Sequence, residues 1–596
     1  MGTDYWLVHA RWTIPPSLVL WFFFRKLRTP RDVYKTCFLI TLREDAHTLH
    51  KQATIPWDSY LIRNRIWSYP QSSVVGPTLF AIPYEEIFFF FIQTYLTATV
   101  YALFTRPVVH AVLLPRMPEE GRATRWVGTA GFLAVTAAAV AKLKEGGEGT
   151  YLALIVGWVA PFLALLWFIT SNHILAMPPY AVVLPILLPT LYLWECDARA
   201  LQRGTWVIEQ GTKLGLSFRG LEIEEAVFFL LTNVMVVFGL IACDYCLAVH
   251  DLRSYDKRTS STFPPLSQFI PILINCPDAK QRQCIDDLRH ALDVLEVHSK
   301  SFSTASMVFD GRLRLDLLAL YAWCRVCDDL VDNASSVPVA SSNIDLIRRF
   351  LSLVYPSDPS NPVALPTRPS GRELNEVLGD LSENEKGAFR LLTLLPISRP
   401  PLDELIEGFE TDLRFLALSS GAATQTGPRA AASLPIRTDE DLLTYSNNVA
   451  SSVADLCVQL VWAHTSSSAS SSSERTAILS AARTMGKALQ LVNIARDVPA
   501  DQRIHRMYLP ATPLDAPLRA LTQERRRLLD LAKAMAGQSR SEIERLPKEA
   551  RGGIRAACDV YLSIGEAVAQ ALEEGRIEDR ARVNKATRAW TAWSAL

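Results

Sequence analysis

Residues 321–332 read YAWCRVCDDLVD and residues 490–501 read QLVNIARDVPAD. In each stretch apolar residues at helical spacing surround carboxylates about one turn apart: Asp328, Asp329 and Asp332 in the first, Asp497 and Asp501 in the second. Positions i and i+4 share a helix face, so each stretch aims a cluster of carboxylates in one direction. Like charges that close repel, and a hard divalent cation relieves them. Mg2+ typically takes one or two carboxylates together with substrate phosphates. Two such helices facing each other would form a site for a diphosphate, with Mg2+, or Mn2+ in its place, as the expected cofactor.

A second set of acids lies near the other end of the chain. PYEEIFFFF at 83–91 and EIEEAVFFL at 222–230 place Glu85/Glu86 and Glu224/Glu225 at the heads of apolar runs. The offset that relates them also relates Asp58 to Asp197, Trp67 to Trp206, Gly76 to Gly215, and Phe89/Phe90 to Phe228/Phe229, without a gap. Matches of Trp, Asp and paired Glu at one offset indicate duplicated units, and membrane repeats commonly enclose their site where they meet. A carboxyl group costs roughly 2.5 to 3.5 kcal/mol near the centre of a bilayer on insertion scales, so such residues usually mark function. Read singly, each Glu is also a fitting helix N-terminal residue. A carboxyl kept protonated by a low dielectric can donate to an alkene, with a companion carboxylate to take the proton back. Asp58 and Asp197 are candidate bases or partners.

These residues must be positioned by two different kinds of element. The chain has 596 residues, 49% of them apolar and 20% charged, with a net charge of +0; zero net charge argues against nucleic acid as a partner. Long uncharged runs stop near His250. Spans are expected over 5–24, 78–104, 126–141, 151–170, 174–193 and 226–248, with a weaker one over 33–42, giving seven crossings of a bilayer. Arg25, Lys26, Arg28, Arg31 and Lys35 against Asp32 place the first loop, and by alternation the rest of the chain after the seventh span, in the cytosol. The weak span is followed by a charged stretch at 43–51. The expected division is a membrane domain over 1–250, a Ser/Pro-rich linker over 251–280 and a second domain over 281–596, whose amphipathic patterns are all helical. The fold class is all-α throughout. Cys243/Cys246 and Cys324/Cys327 lack a second pair at zinc spacing and read as core thiols.

In order along the chain, HSKSF at 298–302, the Tyr321–Asp332 stretch as YxxxRxxDDxVD, GFETDL at 408–413, GKALQLVNIARDVPAD at 486–501 and RMYLP at 506–510 resemble the squalene/phytoene synthase family over residues 285–595. The resemblance implies an isoprenoid-synthase fold and Mg2+-dependent head-to-head condensation of two prenyl diphosphates through a cyclopropylcarbinyl intermediate. Ser451 and Ala454 stand where the family usually has glycines. WDSYLIRNRIWSYP at 57–70 and the two Glu-Glu elements resemble the membrane-embedded lycopene cyclases whose related halves occur separately in some bacteria and archaea. Both modules in one chain resemble the bifunctional fusion enzymes of fungi. That likeness implies geranylgeranyl diphosphate and lycopene, or another acyclic carotene, as substrates, a bilayer as the setting, and association with a phytoene desaturase.

On that reading Asp328, Asp329, Asp332, Asp497 and Asp501 hold the metal. Arg325, Arg496 and Arg506 offer planar donor forks to diphosphate, though surface ion pairing explains each equally well. Tyr321 and Tyr445 are candidates to touch substrate or assist proton transfer, with core packing explaining either equally well. Gln490 and Asn493 form a polar layer beside Asp497, and Ser299 and Ser301 beside Phe302 line the diphosphate end or cap a helix. Asp412 ranks lowest. In the membrane half the Glu pairs act on the carotene, and Phe89, Phe90, Phe228, Phe229, Trp67 and Trp206 are candidates to stabilise a cation. Alternative readings are a squalene-type synthase and a passive carotenoid-binding anchor. A retinal pump is disfavoured because 226–248 contains no Lys.

Overall fold

A computed structural model describes residues 2–44, 54–108, 110–114, 121–257, 263–264, 266–275, 277–356, 365–420, 434–465 and 471–596. Most of the charged stretch at 43–51, of the small-residue loop at 419–435 and of the serine run at 466–473 lies outside the described residues. The chain divides into two compact units, Met1–His250 with Thr262–Pro277, and Asp251–Ser261 with Asp278–Leu596.

The first unit is helical, and among the described residues five helices are long and apolar enough to cross a membrane: Tyr84–Thr105, Ala123–Glu145, Thr150–Ala176, Pro179–Arg203 and Ile223–Tyr255. The sequence pattern suggested seven spans. The stretch over 5–24 is helical from Asp4 to Phe24, with a π-helical turn at His9–Thr13 between its two α-helical parts. The weak span is the helix Pro30–Glu44. Its Lys35 Nζ reaches Asp244 Oδ1 at 2.7 Å, and its Asp32 pairs with Arg106; an ion-paired helix needs protein partners more than lipid. The apolar run at 78–104 begins as a hairpin, Thr78–Leu79 with Ile82–Pro83, before its helix starts at Tyr84. The last long helix continues to Lys257, into the stretch read as a linker, because Val249, Leu252 and Tyr255 are buried at helical spacing. Ala123–Glu145 is only 6% buried along its apolar window, leaving Trp126, Val127 and Leu133 exposed; an apolar face of that extent is suited to lipid.

The duplication is a structural symmetry. The hairpin Ser217–Phe218 with Leu221–Glu222 repeats the first one. Between the copies, Trp67–Ser68 pairs antiparallel with Val207–Ile208, so that Ser68 faces Val207, its own counterpart. Gln93 likewise donates from Nε2 to Thr232 Oγ1, its own counterpart, at 3.0 Å. A pseudo-twofold axis therefore passes between the two Glu-bearing helices. Leu61, Trp67, Tyr151, Leu193, Ile208 and Phe228 pack around it as one core.

In the second unit the helix Gly311–Asp332 is almost wholly buried up to its last turn, with Leu315, Leu318, Ala319, Ala322, Trp323 and Cys327 inside. Asp310 starts it by accepting from the Gly311 N–H at 2.7 Å. Helices Ala279–His298, Val337–Val354, Glu383–Leu392 and Ser452–His464 pack around it. The second aspartate stretch lies on Ser472–Arg503, which packs on Thr522–Ile543 and Lys548–Glu573. A π-helical turn at Asn447–Ser451 sits between Pro400–Ser420 and Ser472–Arg503. A Cβ on Gly486 would lie 2.8 Å from the Ala450 carbonyl oxygen, and one on Gly408 2.5 Å from a Val449 methyl. Those glycines let both helices close on the turn. Ser451, in place of a glycine, is buried and donates to the Arg483 carbonyl at 2.5 Å.

Candidate active sites

In the second unit the carboxylates are met by arginines. Arg325, one turn before Asp328 and Asp329, donates to Asp328 Oδ2 and Asp329 Oδ2 at 3.0 Å each, and its other Nη also bonds Asp329. Asp497 is held on both oxygens, by Arg496 at 2.8 and 2.5 Å and by Arg580 at 2.9 and 3.1 Å. Arg506 joins the two stretches: its backbone N–H donates to the Asp501 carbonyl at 2.9 Å and its Nη2 to Asp332 Oδ1 at 2.7 Å. Arg506 therefore ties together two clusters separated by some 170 residues of chain.

Asp412 stands at the centre of this group. It is 5% exposed and accepts from Tyr508 Oη at 2.6 Å and Tyr445 Oη at 3.1 Å, and the two rings stack at 5.0 Å. Burial pushes its carboxyl up to about 7, helped by Asp332 and opposed by the tyrosines and Arg506. Burial, reinforced by Asp332, also raises Asp328 to about 7; burial, reinforced by Asp497, does the same for Asp501. The Asp328 side chain keeps 35% of its exposure, so water tempers its shift. Asp497 moves the other way: burial would raise it, but the Arg496 and Arg580 forks hold it below the usual range.

Six carboxylates thus face four guanidinium groups. Among the described residues no three metal-ligating side chains already converge on one point, yet the excess of acid and a buried, unpartnered Asn493 Oδ1 one turn before Asp497 fit a hard cation. Asn493 also donates to Gln490 Oε1 at 3.4 Å. Ser299 caps the helix Lys300–Ser306, accepting from the Phe302 N–H at 3.3 Å, and Phe302 stacks on Tyr321 at 5.3 Å. Ser301 lies on that same short helix.

In the first unit each Glu pair occupies the first turn of its helix, and the two members of a pair do different things. Glu85 Oε1 accepts from the Val75 N–H at 2.8 Å, and Glu224 Oε1 from the Leu214 N–H at 2.7 Å. These outer acids hold their own hairpin loops. Glu86 and Glu225 turn inward to one cavity, which Asp197, Trp67, Trp206 and Phe228 also line. Tyr5 and Tyr69 donate to Glu86 Oε2, the latter at 2.8 Å, and Tyr151 donates to Glu225 Oε1 at 2.6 Å. Asp197 accepts from Trp206 Nε1 at 3.1 Å. Asp58, its counterpart, is fully buried. Phe89 meets Phe229 at 6.0 Å across the repeat, and Trp57, Trp158 and Phe228 stack beside the cavity. Phe90 is buried in its helix.

Sequence reading did not single out Tyr5, Tyr69, Tyr151, Tyr508 or Arg580, and it set Asp412 lowest, where the structure gives that acid two tyrosine donors. Tyr5 and Tyr151 are structural counterparts: their N–H groups donate to Ser73 and Thr212, each at 3.0 Å. They escape the common offset because the loops between repeats differ in length. Tyr69 lies inside the quoted Trp57–Pro70 motif, which was its one available signal.

A family model described as Squalene/phytoene synthase matches residues 295–587, a stretch within the second unit. A dehydrosqualene synthase crystal structure aligns with TM-score 0.38 and 18% identity over 53% of this chain and 96% of that one. Over its full length the chain is 40% identical to the "Bifunctional lycopene cyclase/phytoene synthase" of Leptosphaeria maculans and 41% identical to that of Pyrenophora tritici-repentis, with 100% of each chain covered. The relative in Neurospora crassa is 37% identical, with 100% of this chain and 99% of that one covered. The chain belongs to the bifunctional lycopene cyclase/phytoene synthase family.

Proposed function

We propose that the second unit condenses two molecules of geranylgeranyl diphosphate head to head into phytoene and that the first unit cyclises the ends of lycopene to β-ionone rings. End-to-end identity with relatives named for both activities carries this reading, because it covers both carboxylate sites at once. In the second unit Asp328, Asp329, Asp332, Asp497 and Asp501 would hold Mg2+, which supplies positive charge for a departing diphosphate. Arg325, Arg496 and Arg506 release part of their carboxylate contacts to bind phosphate oxygens in the same fork geometry. Tyr445 and Tyr508, oriented by Asp412, stand beside the region where a carbocation forms. Tyr321 and Phe302 present aromatic faces to the prenyl chain.

In the first unit one inward Glu protonates a terminal alkene, the next alkene closes on the cation, and the other Glu removes a ring proton. Acid–base help of this kind contributes roughly 10²–10⁴-fold. No electrons are exchanged, so no redox cofactor is required. The product of one unit must be desaturated before it suits the other, which makes a desaturase the natural associate. The protein is a multi-pass membrane protein, a reading supported by the five helices of spanning length among the described residues.

Expressing the full chain in a host supplied with geranylgeranyl diphosphate and a phytoene desaturase tests this. Phytoene together with cyclic carotenes is expected. Phytoene without rings would reduce the first unit to an anchor, and squalene would overturn the substrate assignment.

A further inference from the structure

The two inward glutamates occupy equivalent places, but their surroundings differ at one position. Tyr69 in the first repeat corresponds to Ile208 in the second. Tyr69 donates to Glu86 Oε2 at 2.8 Å beside the donation from Tyr5; Ile208 has no hydroxyl to give. Glu86 therefore receives two phenol donors on one oxygen. Glu225 receives one, from Tyr151 at 2.6 Å, while Asp197 lines the cavity that both glutamates share. Hydrogen bonds from O–H groups stabilise the ionised form of a carboxyl group.

We infer that Glu225 is the acid of the cyclisation and Glu86 the base, with Tyr69 the positioning residue that breaks the symmetry between them. The inference rests on the cyclase reading and assigns its two roles. Glu225 gives its proton to the terminal alkene carbon, forming a C–H bond as the π bond breaks. The neighbouring alkene's electron pair closes the ring and moves the positive charge to a ring carbon. Glu86 takes the proton from the adjacent ring carbon, whose C–H electrons become the new double bond. The proton then returns from Glu86 to Glu225, so each turnover is proton-neutral.

The test incubates membranes holding full-length chains with lycopene in deuterated buffer, using phytoene synthesis by the same chain as the folding control. The wild type must form rings; if it does not, the cyclase reading fails, and with it the ground for any assignment. Given rings, Glu225→Gln is expected to return lycopene without deuterium, because nothing protonates it. Glu86→Gln is expected to return lycopene deuterated at its ends, or rings with a displaced double bond, because the cation forms and loses its proton elsewhere. Deuterium in lycopene from Glu225→Gln, or neither exchange nor displaced rings from Glu86→Gln, would overturn the assignment. Tyr69→Phe should slow ring formation roughly tenfold to a hundredfold, as expected for loss of a hydrogen bond to a charged group, and raise the share of displaced-double-bond rings. An unchanged product ratio in Tyr69→Phe would remove Tyr69 from the mechanism.

Discussion

In the second unit Asp328, Asp329, Asp332 and Asp497 each meet a guanidinium group. In the first unit Glu225 and Asp197 are met by a phenol and an indole, and Glu86 by two phenols. Both units also place two tyrosine hydroxyls on one buried carboxyl group, Glu86 in one and Asp412 in the other. The contrast follows from what each site has to move. A guanidinium is a permanent charge, so it can be traded for another cation or for a phosphate contact when a diphosphate arrives. A phenol or indole only adjusts how tightly a neighbouring carboxyl holds its proton, which is what chemistry on a neutral hydrocarbon calls for.

The sharpest way to break that contrast is to remove one acid from each site. Asp329→Asn should abolish condensation, with a loss of roughly a thousandfold or more, while supplied lycopene is still cyclised. Glu225→Gln should do the reverse, losing roughly 10²–10⁴-fold in ring formation with phytoene output unchanged. Loss of both activities from either substitution, at normal expression, would contradict separate sites.

Arg506→Met leaves Asp332 without its guanidinium and removes the side-chain half of the link to the second cluster. Condensation should fall roughly a hundredfold, measured as kcat/KM on geranylgeranyl diphosphate. A proton and a metal ion compete for the same carboxylates. Burial pushes Asp412 and Asp501 up to about 7 in the folded chain, above the value of about 3.9 for a free Asp. A folded value above the unfolded one means that these groups cost stability at pH 8 and that the cost is relieved as pH falls through 7. Lowering the pH from 8 to 6 should therefore raise the Mg2+ concentration needed for half-maximal condensation, while the metal-free second unit becomes harder to melt. Cyclisation should show no such metal dependence. The smallest effect is expected from Gly486→Ala, whose new Cβ presses on the Ala450–Ser451 backbone. It should destabilise the second unit by roughly 1–3 kcal/mol, seen as a lower melting temperature for phytoene synthesis than for cyclisation.

The duplication shows how far residue order reaches. The spacing that relates Glu86 to Glu225 is constant from Asp58 to Phe90, and the structure uses it for hairpins, helices and the Gln93–Thr232 contact alike. The partners of those acids were hidden for a physical reason. Tyr5 reaches Glu86 across 81 residues and Tyr151 reaches Glu225 across 74, so no periodicity within one helix could signal either contact. GFETDL offers Asp412 no second acid three or four residues away. Its hydroxyl donors, Tyr445 and Tyr508, come from other segments. Hydropathy over 33–42 likewise does not register the ion pair between Lys35 and Asp244.

Residue order alone established the helical class, the repeat, the two aspartate stretches and the acids at the helix heads, because carboxylate spacing and apolar periodicity are local properties of the chain. Folding alone decided which carboxylate meets an arginine and which a phenol. Those donors arrive from distant segments, and a few ångströms of packing determine whether an acid is left with a counter-ion or with a proton.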